Sequence, residues 1–106
     1  MSRTVLLPIF NNLDFKYTIT LNSVGVTLRF RWNTKTKHYH MDVYLRDGTM
    51  LLEGRKVVVG TSILSTAMYV YGIKGYFLLS PADDKIEDNE DNRKNWADKY
   101  ALAFIT

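Results

Sequence analysis

The chain reads as an all-β domain, a small antiparallel β-barrel or sandwich of roughly seven short strands with little helix. Three observations predict this. Apolar residues recur at every second position in three consecutive segments. The connections between those segments are hairpin-sized and rich in Asn, Thr, Asp and Gly. No long helical heptad pattern or internal repeat interrupts the series.

Thr4 to Ile9 is a candidate first strand with Pro8 at its end. Phe15, Tyr17, Ile19 and Leu21 then alternate with Lys16, Thr18 and Thr20. Val26, Leu28, Phe30 and Trp32 alternate with Thr27, Arg29, Arg31 and Asn33. Tyr39, Met41, Val43 and Leu45 alternate with His38, His40, Asp42, Tyr44 and Arg46. Successive strand side chains point to opposite faces, so each segment has one apolar and one polar face. β-branched and aromatic residues are enriched, as strands favour. Asn22 to Gly25 and Asn33 to Lys37 are the connections. Asp47-Gly48 is the strongest turn signal, of the type I′ kind, and leads into a fourth strand from Met50 to Val59. Gly54 inside that run predicts a bulge or bend. Residues 15 to 59 are thus a four-stranded meander.

Beyond it, Gly60 to Gly72 fits one short helical turn followed by a strand. Gly75 to Ser80 reads as a strand closed by Pro81, and Tyr100 to Ile105 as the final strand. Residues 82–94 are polar and charged, an acidic exposed loop. All of this is one domain over residues 1–106, large enough to bury roughly 70% of its unfolded surface without metal or disulfide help.

Cysteine is absent, which excludes disulfide scaffolds, thiolate metal sites and cysteine nucleophiles. It also fits a reducing cytoplasm as the place of synthesis. The segment from Met1 to Phe10 carries one base and a short apolar run broken by Asn11 and Asn12, too short for a signal h-region. No apolar window approaches the roughly 18 residues of a spanning helix, so no membrane partner is expected.

The net charge of +3 averages two unlike regions. Asp83, Asp84, Glu87, Asp88, Glu90 and Asp91 stand within nine residues against Lys85 alone, a local −5, while the rest of the chain carries +8. The segment is either a solvated, mobile connection, the favoured reading, or a docking loop for a basic partner surface or a cation. A calcium-binding EF-hand loop fails on spacing, because counting from Asp83 the sixth position is Asp88 and the twelfth is Lys94.

Arg29 and Arg31 fall on the polar face of the second alternating segment and Arg46 on that of the third, with Lys35 and Lys37 in the hairpin between them. Bases interleaved with aromatics resemble a single-strand nucleic-acid platform. Yet Phe30, Trp32 and Tyr39 alternate out of phase with the arginines, which assigns the rings to the core and the bases to a solvated or partner-facing surface. A small β-barrel nucleic-acid-binding module is therefore the lesser alternative, with no nucleic-acid specificity expected.

His38 and His40 share one strand face with Asp42, a spacing that can hold zinc or copper. No other histidine exists to complete the set, and an ordinary exposed polar face is the simpler reading. No nucleophile elbow, phosphate loop or nucleotide fingerprint occurs, and no cofactor or catalytic residue is assigned.

Several segments together carry a resemblance. They are Leu6-Leu7-Pro8-Ile9, the Phe15 to Leu21 strand, Leu28 to Asn33 with its Trp32-Asn33 ending, Tyr39 to Val43, and Asp47-Gly48 through Gly54-Arg55 to Val58. A Gly-Tyr-Phe strand, the acidic loop and an aromatic-aliphatic terminal strand follow. Over about residues 4 to 105 the chain resembles the small baseplate plug family of contractile-tailed bacteriophages. The resemblance implies an all-β, non-enzymatic structural protein of the virion tail baseplate. It would pack in several copies between the end of the tail tube and the hub and spike, near the tape-measure end. The long acidic stretch 83–91 departs from many relatives. Complementary contacts between the basic body and the acidic loop, among copies or with tube and hub proteins, are the expected interfaces.

Overall fold

The computed structural model describes residues 3–106; Met1 and Ser2, part of the segment read for a signal, lie outside the described residues. Seven strands form two antiparallel sheets. The larger is the meander β2 (Asp14–Leu21), β3 (Val24–Asn33), β4 (His38–Leu45) and β5 (Met50–Lys56), in that spatial order. The smaller places β7 (Tyr100–Ile105) between β1 (Thr4–Leu7) and β6 (Tyr76–Pro81). Among the described residues three short helices join them: α1 (Thr66–Val70), α2 (Glu90–Lys94) and α3 (Trp96–Lys99).

The period-2 reading translates directly into registers. Phe15 faces Phe30, Tyr17 faces Leu28 and Ile19 faces Val26. Phe30 in turn faces Met41, and Leu28 faces Val43. Val26, Leu28, Phe30, Met41 and Val43 are fully buried, so the apolar set of the meander forms one wall of the core. Phe77, Leu79, Leu102 and Phe104 supply the opposite wall from β6 and β7.

The sandwich is closed on one flank and open on the other. After β5 the chain crosses sheets, forming isolated bridges Val59↔Leu79 and Ile63↔Phe77 along β6. The fourth strand therefore stops at Lys56 rather than Val59: Val57 N still donates to Tyr39 O at 2.8 Å, but from Val59 to Ile63 the chain pairs with the other sheet. On the opposite flank β1 and β2 pair only with β7 and β3 respectively, so no barrel closes among the described residues. A sandwich is the architecture.

The turns hold one correction. The type I′ geometry sits at Asn22-Ser23, whose φ values of 50° and 66° are both left-handed, and not at Asp47-Gly48. There only Gly48 has positive φ, at 94°. Leu45 N donates to Thr49 O at 2.8 Å across a longer loop, and the Asp47 carboxylate accepts from Thr49 N at 2.9 Å. The bulge expected at Gly54 is present. Asp42 on β4 opposes both Glu53 and Gly54, between the pairs Met41↔Arg55 and Val43↔Leu52. Gly54 takes φ 61°, the left-handed conformation that favours glycine at such a bulge.

The segment 60–72 yields the helical turn but no strand after it: α1 is followed directly by a turn at Tyr71-Gly72. Nor is 82–94 loop throughout, since its last five residues form α2. Asn89 caps that helix through Oδ1 to Asn92 N at 2.9 Å. Glu90 and Asp91 stand in its first turn and Arg93 and Lys94 in its last, the charge order the helix dipole favours.

The helices cap opposite ends. At one end α3 brings Trp96 under the meander, beside Phe15, Phe30 and Tyr39. At the other, Ser65 Oγ donates to Leu51 O at 2.7 Å and pins the start of α1 to β5. Just past α1, Lys74 N donates to Asn22 Oδ1 at 3.0 Å, which ties the segment to the β2–β3 turn.

Candidate assembly surfaces

The outer face of the meander is a grid of charged and polar side chains, several of which satisfy one another. Arg29 lies between Lys16 of β2 and Asp42 of β4 in register. Its guanidinium forks onto Asp14, with Nε donating to Oδ1 at 3.1 Å and Nη2 to Oδ2 at 2.8 Å. Those hydrogen bonds hold the Asp14 carboxyl below its ordinary value.

Arg31 Nη2 donates to Asp42 Oδ2 at 2.9 Å. Asp42 is only 4% exposed although it occupies the outer face. Its other oxygen accepts from Gly54 N at 2.6 Å, so the carboxylate stitches the bulge of β5 to β4. Burial of this charge is sustained by a charged donor and a backbone donor together. Arg29 and Arg31, expected as partner-facing cations, are thus already held by carboxylates of their own sheet.

His38 and His40 follow the same pattern. His40 has both ring nitrogens engaged, Nδ1 with Gly54 O at 3.0 Å and Nε2 with Thr36 Oγ1 at 2.8 Å. His38 Nδ1 meets Thr36 O at 2.7 Å, and burial pushes its ring below the ordinary histidine value. Asp42 is committed to Arg31 and Gly54. Among the described residues no cluster of three or more His, Asp or Glu has the geometry to hold a metal ion.

The acidic segment folds back on the chain's own basic hairpin. Asn33 shapes that hairpin by accepting from Lys35 N and Thr36 N at 2.9 and 3.1 Å, and Lys37 takes a left-handed φ of 56°. Arg93 Nη1 donates to Lys37 O at 3.0 Å, and Lys37 Nζ lies 3.5 Å from Glu90 Oε2. Arg93 Nε also donates to Asp88 Oδ1 at 2.8 Å, and Tyr100 OH donates to the same oxygen at 3.0 Å. Burial pushes the Asp88 carboxyl up, but the bonds from Arg93 and Tyr100 outweigh it and hold the group below its ordinary value. The charge division apparent in the sequence is therefore partly closed within one molecule.

The remaining candidates divide between the two ends of the sandwich. Asp83, Asp84, Glu87 and Asp91 are exposed and form no ion pair among the described residues. Asp83 Oδ1 accepts from Lys85 N at 2.7 Å and shapes its own turn. Lys35 is exposed near them. Arg46 lies at the far end with its guanidinium over Gly25; a Cβ on Gly25 would come within 2.5 Å of Arg46 Nε.

Phe30 and Tyr39 are buried on the inner face, as the alternation predicted; Trp32 shares that face but stays half-exposed at its rim. Arginines and rings lie on opposite faces, so the meander offers no stacking platform with cations beside it.

Sequence reasoning missed several organising residues. Trp96, Arg93 and Asn11, whose Oδ1 accepts from Ala97 N at 3.0 Å, gave no periodic signal. Asn89 with Glu90-Asp91 and Arg93-Lys94 did carry a legible helix signature.

A family model described as the cyanophage baseplate Pam3 plug gp18 matches residues 5–106. No curated protein matches the chain. The match begins inside β1 and runs past the end of β7, so it takes in both sheets, the bulge and the capping helices. This all-β chain belongs to the cyanophage baseplate Pam3 plug gp18 family and is a structural component of a phage baseplate.

Proposed function

We propose that the chain stands in the centre of a contractile-tail baseplate, between the end of the tail tube and the hub and spike. It stands there in several copies and acts by packing, without catalysis. The observation that carries this reading is the family match over nearly the whole chain. The fold is consistent with it. An aromatic core and a sheet whose outer arginines are held by its own carboxylates support a packing body, and unpaired charges stand at both ends.

Tail-tube, hub or spike, and tape-measure-end proteins are its partners under this reading. Of the expected interface residues, exposed Asp83, Asp84, Glu87, Asp91 and Lys35 at one end, and Arg46 at the other, have charge to spare for them. The chain is synthesised in the host cytoplasm and incorporated into the virion.

The test is twofold. Mass spectrometry of purified tails should find the chain in fixed ratio to the hub protein, and the isolated chain should be retained by immobilised hub protein. Its absence from assembled tails overturns the reading. A fluorescence titration with single-stranded DNA would separate the nucleic-acid alternative, for which affinity must fall steeply with salt.

A further inference from the structure

We propose that copies of this chain join end to end, the apolar α1 end of one copy seated on the acidic 83–91 end of the next. This deepens the reading of several copies in one baseplate and rests on it.

The α1 end is the most apolar surface of the molecule. Leu64, Tyr69, Val70, Tyr71 and Met50 are 43%, 54%, 74%, 47% and 45% exposed. They stand out because α1 has only five residues and buries only Met68, while the pin from Ser65 to Leu51 fixes the helix across the end. Leu64 and Tyr69 also line a groove of about 600 Å³ with Arg55, Ser65 and Thr66. Clustered exposed apolar side chains of this kind mark an interaction surface.

The charges name the occupant. Arg46, Arg55 and Lys74 belong to this end and form no ion pair among the described residues. The nearby Asp47 carboxylate is occupied by Thr49 N. A fitting partner therefore carries carboxylates beside apolar side chains. The opposite end of this same chain does so, with Asp84, Glu87 and Asp91 exposed and unpaired among the described residues and Phe10 and Leu13 47% and 55% exposed. Two α1 ends would set Arg46, Arg55 and Lys74 against one another, so this end takes an unlike partner. The contact is heterologous, head to tail, the kind that closes into a ring when the rotation permits.

A mixing experiment on the full chain tests this. In sedimentation velocity, the wild-type mass should rise with concentration and fall back on adding salt. Val70→Asp spoils the α1 end, and Asp84→Lys with Glu87→Lys spoils the acidic end. These side chains are exposed and make no hydrogen bond in the fold, and circular dichroism and melting should match wild type. Each variant alone should stay monomeric. Mixed in equal amounts they should form a heterodimer and nothing larger, because one intact end of each kind survives. A wild-type chain that stays monomeric, variants that associate as wild type does, or a mixture that stays monomeric each overturns the proposal. A chain that binds hub protein yet never self-associates overturns this contact alone. One that self-associates yet is missing from tails overturns the baseplate position alone.

Discussion

Trp96 stacks on Tyr39 with ring centroids 4.1 Å apart and planes 6° apart, across 57 positions of sequence. The indole is 1% exposed, and its Nε1 donates to Phe10 O at 2.7 Å. Tyr39 OH donates to Asn12 O at 3.1 Å. Two buried rings thus spend their polar atoms on the connection between β1 and β2 and fasten it over the meander. Trp96→Ala is expected to cost about 3–5 kcal/mol, the range for emptying an aromatic core site. Trp96→Phe keeps much of the packing but strands the Phe10 carbonyl, at about 1–3 kcal/mol. Urea unfolding followed by circular dichroism orders the three proteins; a Phe variant with the wild-type midpoint would show that the indole hydrogen bond contributes nothing.

Asp42 and Gly54 make a second test. With Asp42→Ala the Gly54 amide loses its acceptor inside the sheet and Arg31 its partner, a loss of about 1–3 kcal/mol. Asp42→Asn can still accept from Gly54 and gives up mainly the ion pair. Since Arg31 is 44% exposed, that part is worth about 0–1 kcal/mol. Gly54→Ala should cost about 1–2 kcal/mol through its left-handed φ alone, since nothing lies within 4 Å of an added Cβ. Thermal melting of the three variants decides; an Asn variant as unstable as the Ala variant would assign the role to Arg31 rather than to the bulge.

Alternation made the meander legible, because one apolar face per strand fixes both strand and register. Gly54 could be read because a glycine in a strand has few other uses. Asp42 could not. On the pattern it is one more outer-face polar residue, and only the two-for-one count at the bulge brings the Gly54 amide onto its carboxylate. The same limit explains Asp47-Gly48: a dipeptide states a preference, but the longer loop closed by Leu45 and Thr49 decides φ at Asp47. The 82–99 region was hardest. Its charges describe a solvated stretch, whereas Trp96 and Arg93 anchor it through contacts with Phe10, Tyr39 and Lys37 that lie far away in sequence.

Arg93 and Lys37 both tie the acidic segment to the hairpin, with unequal strength. Lys37 and Glu90 are a 3.5 Å surface pair with side chains 56% and 44% exposed. Lys37→Ala should therefore change stability by less than about 1 kcal/mol. Arg93 joins Asp88 and the Lys37 carbonyl, and its side chain is 20% exposed. Arg93→Ala should cost about 1–3 kcal/mol and speed amide exchange through α2 while β3 and β4 stay protected. Hydrogen exchange read by mass spectrometry checks this; unchanged exchange in residues 86–95 would show that Asn89 and the helix itself hold the segment.

Stability should fall on both sides of neutral pH, for separate reasons. His38 has a folded value below its ordinary 6.5 because burial disfavours the charged ring. Its contribution is present above that pH and is lost as pH falls toward the folded value. Asp88, held below its ordinary 3.8 by Arg93 and Tyr100 against the effect of burial, adds a loss further into acid. On the alkaline side burial, reinforced by the Asp88 hydrogen bond, raises Tyr100 from 10.0 to about 12, and burial alone does the same for Tyr39. A raised folded value means stability is intact below 10.0 and declines as pH climbs toward 12. Urea midpoints measured across pH should therefore form a plateau with two shoulders. Tyr100→Phe should shrink the alkaline shoulder and leave the His38 portion of the acid one in place. Phenolate absorbance supplies the independent readout. In the folded protein Tyr39 and Tyr100 should ionise well above 10.0, and a titration in which both ionise near that ordinary value before unfolding would sink this account.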